Sequence, residues 1–365
     1  MKKQRHIYFF LPNFSIGGAG NSILNICKSI KNKKDKIIII SQGKNAYKSK
    51  FRKLGIKLIE LKEQKAIFAI IKIYKLLNNE NKNKNCKQIF VSNINYANVL
   101  SSIFIKNIKN IKLILIERTP FQELEISQSF MQSIKKRAIY FLAKLFYRRA
   151  NYIVGNSYNL SNYIMKKIHQ KVITIYPIIE IKNIKKRYNR ILNLTWIGRN
   201  SNEKNLIDLL NCFRYLDREN IIINIVTDRN VNNLIKSYST TKFRRKIKIF
   251  QFKNEKSFVD KIYKKTDIYI STSLYEGFPN TLVDAVNNLC LVITSNNFGG
   301  YKEIIKNQNY GLIYETRNYL ELYKKIKYAI DNFDNNKTKI TKAKQNLKKL
   351  AFKHNLNYKN FFNKI

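Results

Sequence analysis

Short apolar runs and longer amphipathic stretches alternate from one end of the chain to the other. The runs at 6–11, 36–41, 56–61, 88–93, 111–116, 152–154 and 172–177 have the length and the β-branched or aromatic content of strands. Between them, 22–30, 67–77 and 133–149 carry apolar residues at helical spacing. The pattern restarts with strand-like runs at 192–198, 221–227, 247–252, 268–272, 291–295 and 312–314. Strands that alternate with helices predict an α/β chain with parallel sheets covered by helices on both faces. The restart predicts two doubly wound domains, at 1–180 and 190–345, with 346–365 a C-terminal helix able to pack back on the first. Residues 178–191, with the charged run 182–187, read as the linker. Two such domains facing each other form a cleft, and ligands of such sheets bind beyond the strand C-termini.

Length and composition agree with this picture. A chain of 365 residues suffices for two ordinary cores, and 44% hydrophobic residues mark it as globular. The longest apolar runs, 37–40 and 221–226, fall far short of the roughly 18–20 residues that span a bilayer. The basic start Met1–Arg5 leads into 7–11, too short for a signal core of about 7–15 residues, so it reads as the first strand of a cytoplasmic protein. Cys27, Cys86, Cys212 and Cys290 are scattered, and His6, His169 and His354 form no cluster with them. That spacing argues against a metal site or a disulfide framework. The formal net charge is +47. A composition rich in Lys, Ile, Asn and Tyr throughout accounts for it, with an anionic membrane surface or nucleic acid as the functional readings. The charge is spread evenly and no nucleic-acid-binding signature accompanies it, so no nucleic-acid partner is expected.

Several stretches carry candidate chemistry. The first is Tyr275-Glu276-Gly277-Phe278-Pro279-Asn280, between a strand-like run and a short helix at 282–289. Pro279 suits a first helical turn, which needs no amide hydrogen there. The loop offers the Glu276 carboxylate beside the amides of a helix N-terminus, an arrangement that binds anions. Asp284 follows eight residues later, and two acids so spaced can reach two parts of one ligand. A capping loop with one buried and one solvated acid has the same pattern. The second is Gly198-Arg199 followed by Glu203-Lys204, where a planar fork and a point charge flank a helix start and suit a diphosphate. The third and fourth are glycine turns, 15–20 with Gly17 and Gly18, and 298–305 with Gly299 and Gly300. Glycine there lets backbone approach a phosphate or a sugar, or simply makes a turn. The helix at 133–149 combines Ile134, Ala138, Phe141, Leu142, Leu145 and Phe146 with six cations. It reads either as a packed helix with solvated charges or as a membrane-surface helix.

Taken in order, these pieces resemble the GT4-type retaining glycosyltransferases (glycosyltransferase group 1) of the GT-B fold, in which two Rossmann-like domains face each other across a cleft. The resemblance runs over nearly the whole chain. It is carried by GlyGlyAla at 17–19, GlyArg with GluLys at 198–204, GluGlyPheProAsn with Asp284, GlyGly with GluIleIle at 299–305, and GlyLeuIle at 311–313. It implies a hexosyltransferase-type enzyme (EC 2.4) that moves a sugar from a nucleotide-sugar, UDP-linked, to a saccharide or lipid-linked acceptor in cell-surface polysaccharide or glycolipid assembly, with retention. It implies that Glu276 contacts the sugar, that Asp284 holds the ribose and that Arg199 and Lys204 neutralise the diphosphate without a metal cofactor. It further implies that Gly277, Phe278, Pro279 and Asn280 line the donor pocket, that Gly17 and Gly18 close over the donor phosphates, and that Arg118 sits on the acceptor side. It places the protein in the cytoplasm, peripheral to the membrane if the 133–149 helix docks there. Departures are Asp284 where the family has Glu, Gly20 where Glu is frequent, and Val226-Thr227-Asp228-Arg229 where Gly-x-Gly is common. The competing readings are a degenerate GT-B binding subunit and a nucleotide-sugar epimerase of the same fold.

Overall fold

The structure is a computed structural model describing residues 4–14, 17–32, 34–83, 86–124, 130–216, 220–252, 256–354 and 357–365. Ser15 and Ile16, which begin the first glycine turn, lie outside the described residues. The chain divides into two compact units, Met1–Ile178 with His354–Ile365, and Ile179–Lys353.

The first unit is built on seven parallel strands: β1 Arg5–Leu11, β2 Lys36–Ser41, β3 Lys57–Glu60, β4 Lys87–Asn93, β5 Ile111–Glu117, β6 Tyr152–Gly155 and β7 Ile173–Thr174. Their spatial order is β3-β2-β1-β4-β5-β6-β7. The apolar runs are continuous because helices cover both faces. In β1, Tyr8 and Phe10 enter one core, while Ile7, Phe9 and Leu11 enter the other. The run at 172–177 pairs over only two residues, since its partner β6 ends at Gly155 and offers no further edge.

The last helix, Asn357–Lys364, belongs to this first unit. Phe362 stacks at 6.0 Å on Phe9, Phe361 at 5.2 Å on Tyr152, and Arg5 donates to the Phe362 carbonyl. It is a separate helix, because Lys337–His354 runs through position 346, where the sequence suggested a start.

The second unit has six parallel strands: β8 Leu192–Ile197, β9 Ile221–Thr227, β10 Ile247–Gln251, β11 Ile268–Ser271, β12 Leu291–Ser295 and β13 Leu312–Tyr314. Their order is β10-β9-β8-β11-β12-β13, so the winding direction reverses between β8 and β11. In the first unit it reverses between β1 and β4. Loops leaving the two strands at such a point diverge and open a crevice at the carboxyl edge.

The expected linker is not a free connector over 179–191. Lys182 pairs with Asp260 at 2.6 Å and Tyr188 donates to the Leu289 carbonyl at 3.1 Å. The Lys186 ammonium donates to the carbonyls of Tyr263, Thr266 and Asn288. Asn287 accepts from the Lys182 amide and donates to the Glu180 carbonyl, and Lys344 donates to both Lys182 and Asn287. Charges in the run that marked the linker satisfy carbonyl groups that would otherwise be buried without donors.

Among the described residues no helix is long and apolar enough to cross a membrane.

Candidate active site

Two loops meet at the switch point of the second sheet. One leaves β8 at Gly198 and runs through Arg199 to Lys204; the other leaves β11 and runs from Thr272 to Pro279. They are pinned together beneath the surface. The Trp196 indole donates to Thr272 Oγ1 at 2.9 Å, that hydroxyl donates to the Lys204 carbonyl at 2.7 Å, and Leu274 N donates to Glu203 O at 2.8 Å. Gly198 is required here, since a Cβ would stand 2.8 Å from the Trp196 ring.

This framework brings Lys204 and Glu276 together as an ion pair, with side chains 21% and 14% exposed. Glu276 Oε1 also accepts from Ser273 Oγ at 2.9 Å, and the Ser273 carbonyl is held by Ser295 Oγ at 2.6 Å. Glu276 N donates to Phe298 O at 2.9 Å, and Gly300 N to Gly277 O at 2.8 Å. Between these bonds Gly299 has φ 144°, and a Cβ on it would lie 1.9 Å from the Glu276 carbonyl oxygen. The GlyGly turn therefore presses on the protein's own backbone and sets where the Glu276 loop runs.

The helix Asn280–Asn287 starts directly after this loop, with Pro279 as its N-cap residue. That is one position earlier than the first-turn place the sequence suggested. Leu282 N and Val283 N bond back to Pro279 O, while Asn280 N and Thr281 N have no acceptor within the helix. Gly277, Phe278, Pro279 and Asn280 thus surround a helix N-terminus beside an ion pair. Asp284, half-buried, lies one turn further along that helix.

Arg199 stands on the same loop as Lys204, yet its guanidinium turns to Glu203 at 2.6 Å and is 60% exposed. Asp228, at the position where Gly-x-Gly was looked for, accepts from Asn200 N at 2.8 Å and so supports that loop from β9. Ser273 and Thr272 were missed as members of this site, while Gly299, singled out as a glycine turn able to approach a ligand, meets the Glu276 backbone instead. Their signal is topological, since β11 lies between β8 and β12 and all three loops exit at one edge.

The remaining candidates belong to the first unit. Gly17 is tied to the Tyr47 hydroxyl, which accepts from its amide at 3.1 Å and donates to its carbonyl at 2.9 Å. Gly18 opens the helix Gly18–Ile30, and Gly20 is needed because a Cβ would meet the Tyr47 ring at 2.5 Å. Arg118, just past β5, donates from Nη2 to Asn93 Oδ1 at 2.9 Å, so its partner is an amide and not an acid. Its neighbour Glu117 is fully buried and accepts from Tyr147 and from Asn98 Nδ2 at 2.8 Å, while its other oxygen has no partner. Burial pushes its carboxyl up to about 7, against the downward pull of those two donors.

The helix Phe130–Phe146 packs on the first unit through Ile139, Tyr140 and Ala143, with Tyr147 beyond its end. Its stripe of Ile134, Phe141 and Leu145 is 49%, 61% and 41% exposed, with Lys135, Arg137, Lys144 and Arg148 exposed around it. Of the six apolar residues that the sequence placed near one face, only Leu142 and Phe146 turn partly inward, because the packing face, with Ile139, Tyr140 and Ala143, is formed on the opposite side of the helix.

Comparison with known proteins places this architecture. Residues 177–353 match the family described as glycosyl transferases group 1. A Campylobacter jejuni enzyme, N-acetylgalactosamine-N,N'-diacetylbacillosaminyl-diphospho-undecaprenol 4-alpha-N-acetylgalactosaminyltransferase, is 22% identical over 71% of each chain. The fold matches a Rickettsia africae glycosyltransferase with TM-score 0.75 at 19% identity, covering 99% of this chain and 97% of that one. It also matches Anabaena HepE bound to UDP-glucose, with TM-score 0.77 at 15% identity over 99% and 100% of the two chains. The second unit lies wholly within the segment that matches the group 1 glycosyltransferases, and the two parallel-sheet units are those of the GT-B fold.

Proposed function

We propose that the protein transfers a sugar from a UDP-sugar to a saccharide carried on a lipid diphosphate, with retention, in the assembly of a cell-surface polysaccharide or glycolipid. The observation that carries this reading is the Lys204–Glu276 pair beside the open N-terminus of the helix Asn280–Asn287. Departure of a nucleoside diphosphate builds negative charge on its phosphates. Lys204, Arg199 once released from Glu203, and the Asn280 and Thr281 amides supply positive potential for that charge, so no metal ion is needed. Binding of the diphosphate draws Lys204 away from Glu276, which frees that carboxylate to favour the oxocarbenium-like sugar. Asp284 holds the ribose. The Anabaena structure with UDP-glucose supports a UDP-sugar donor, and the Campylobacter enzyme's name supports a lipid-linked acceptor. A lipid-linked acceptor also suits the exposed apolar stripe of Phe130–Phe146, which with its cations fits the interface of an anionic membrane on the cytoplasmic side.

A panel of nucleotide-sugars tested for thermal stabilisation checks the reading. A ligand at about a hundred times its Kd adds about 2.7 kcal/mol to the native state. The expected result is stabilisation by UDP-sugars above GDP- and ADP-sugars. The reading fails if none of them raises the melting temperature.

A further inference from the structure

Two of the turns that build the candidate site are held from behind by one helix of the second unit. The helix Asn280–Asn287 begins at the Glu276 loop, and the short helix Tyr301–Ile304 begins at the GlyGly turn. Both end against Lys337–His354. On that helix Lys344 is buried, and its ammonium donates to Asn287 O at 2.9 Å, Asn287 Oδ1 at 2.6 Å and Lys182 O at 2.8 Å. Three N–H groups meet three acceptors, and no carboxylate pairs with the charge among the described residues. Burial lowers the Lys344 pKa to about 8, with Lys348 and Lys182 acting the same way, which leaves it protonated at neutral pH. Two residues on, buried Asn346 donates from Nδ2 to Glu303 O at 2.8 Å and to Ile304 O at 2.9 Å. The helix Asn280–Asn287 is tied at two further points. Lys186 donates to Asn288 O at 3.2 Å, just past its end, and the Tyr263 hydroxyl donates to Thr281 O at 2.9 Å in its first turn.

Directional bonds at the ends of Asn280–Asn287 supply what its apolar packing does not. Leu282, Val283, Ala285 and Val286 bury one face. That attraction is non-directional, so it resists lifting the helix more than sliding it along its axis. The bonds at Asn287 fix the axial position. A helix of eight residues is about 12 Å long, so a slide at Asn287 arrives undiminished at the Asn280 and Thr281 amides. A buried ammonium without a counter-ion costs stability, and a side chain needed only to fill that space would be apolar. The carbonyls at the helix C-terminus, with their negative potential, are what favour a cation there. Asn346 acts on the other turn. Its acceptors close the four-residue helix that follows Gly300, and Gly300 N holds Gly277 O, so its grip reaches the loop that carries Glu276.

We propose that Lys344 and Asn346 are positioning residues for the donor, Lys344 setting the amides that meet the diphosphate and Asn346 setting Glu276 against the sugar. The inference rests on the UDP-sugar reading above and adds to it two residues that touch no substrate. The test is UDP calorimetry with steady-state transfer kinetics on the full chain, for Lys344→Met, Asn346→Ala and Ile340→Ala. Ile340 packs in the core from the same helix, so its variant reports loss of stability alone. Lys344→Met is expected to lose at least about tenfold in UDP affinity and to raise the donor KM alongside. Asn346→Ala is expected to keep UDP affinity within about twofold and to lose at least about tenfold in kcat. Ile340→Ala melts at a lower temperature and changes neither quantity. Unchanged UDP affinity in Lys344→Met, or an equal loss in Ile340→Ala, overturns the role of Lys344, and unchanged kcat in Asn346→Ala overturns that of Asn346. Should Lys344→Met fail to fold, hydrogen exchange on the wild type reads the same link. UDP then slows exchange of the Lys182 amide, which is bonded to Asn287 Oδ1, relative to the amides of β9, and an unchanged Lys182 rate overturns the assignment. A wild type that binds no UDP takes the donor reading down together with this one. A wild type that binds UDP, beside a folded Lys344→Met that binds it equally, takes down the assignment alone.

Discussion

Replacing Gly299 with alanine tests how Glu276 is held. The new Cβ would lie 1.9 Å from the Glu276 carbonyl oxygen and 2.7 Å from its carbon, where real Cβ atoms essentially never come within 3.0 Å. The φ of 144° adds a backbone conformation that alanine rarely adopts. Such strain costs about 1–3 kcal/mol, and the overpacking another 1–3 kcal/mol. At about 2–4 °C per kcal/mol for a unit of this size, melting should fall by about 4–24 °C. The loop relieves the clash by retreating about 1 Å, and a displacement of that size near reacting atoms costs on the order of 10²-fold in rate. The assay is a pair of measurements, a thermal melt and sugar transfer, on Gly299→Ala and on Gly43→Ala as control. At Gly43 an added Cβ meets nothing within 4 Å, so neither quantity should change. Unchanged melting and turnover in Gly299→Ala would refute the clamp. A lowered melting temperature with full turnover would show that the clamp stabilises the unit without positioning Glu276.

Other parts of the account have their own tests. Asp284→Ala should weaken UDP binding by about ten- to a hundredfold in calorimetry, the value of a hydrogen bond to a charged group, and equal affinity contradicts the ribose role. Asn287→Ala removes the hub that holds Glu180, Lys182 and Lys344. It should cost about 2–4 kcal/mol and raise amide hydrogen exchange across 179–186, whereas an unchanged exchange rate there means the strap does not depend on it. Glu117→Gln should alter the pH dependence of the first unit. The folded state keeps the Glu117 proton up to about pH 7, while the unfolded chain releases it near 4.5, so this contribution is full below 4.5 and is lost as pH rises through 7. Wild-type stability should decline by about 3 kcal/mol across that window relative to the variant, and parallel pH profiles of melting would refute it.

Much of the fold is written in the periodicity. Parallel strands buried on both faces give unbroken apolar runs, and strands such as 36–41, 221–227 and 291–295 keep their predicted limits. The 172–177 run failed because edge pairing depends on a partner's length, which no local window contains. Lys182 and Lys186 misled because a charge run looks solvated unless the carbonyls it will meet are known. The stripe on Phe130–Phe146 shows the converse, as an apolar face in sequence does not say which face the neighbours will cover. At the site, Glu276 and Lys204 were legible as residue types at strand ends. Their pairing, and the support from Ser273 and Gly299, follow from the order β8-β11-β12, which the sequence does not spell out. Arg118 was singled out while its fully buried neighbour Glu117 was passed over, since burial of a strand's last residue is invisible in the sequence.

The most direct test is turnover by Glu276→Gln, measured beside its affinity for UDP. Glutamine keeps the size of the side chain and can still accept from Ser273, but it loses the charge that faces the sugar. The account predicts a fall in kcat of at least about 10²-fold with UDP affinity retained. Full turnover in Glu276→Gln, with UDP bound as in the wild type, would contradict the assignment of this carboxylate to the reacting sugar.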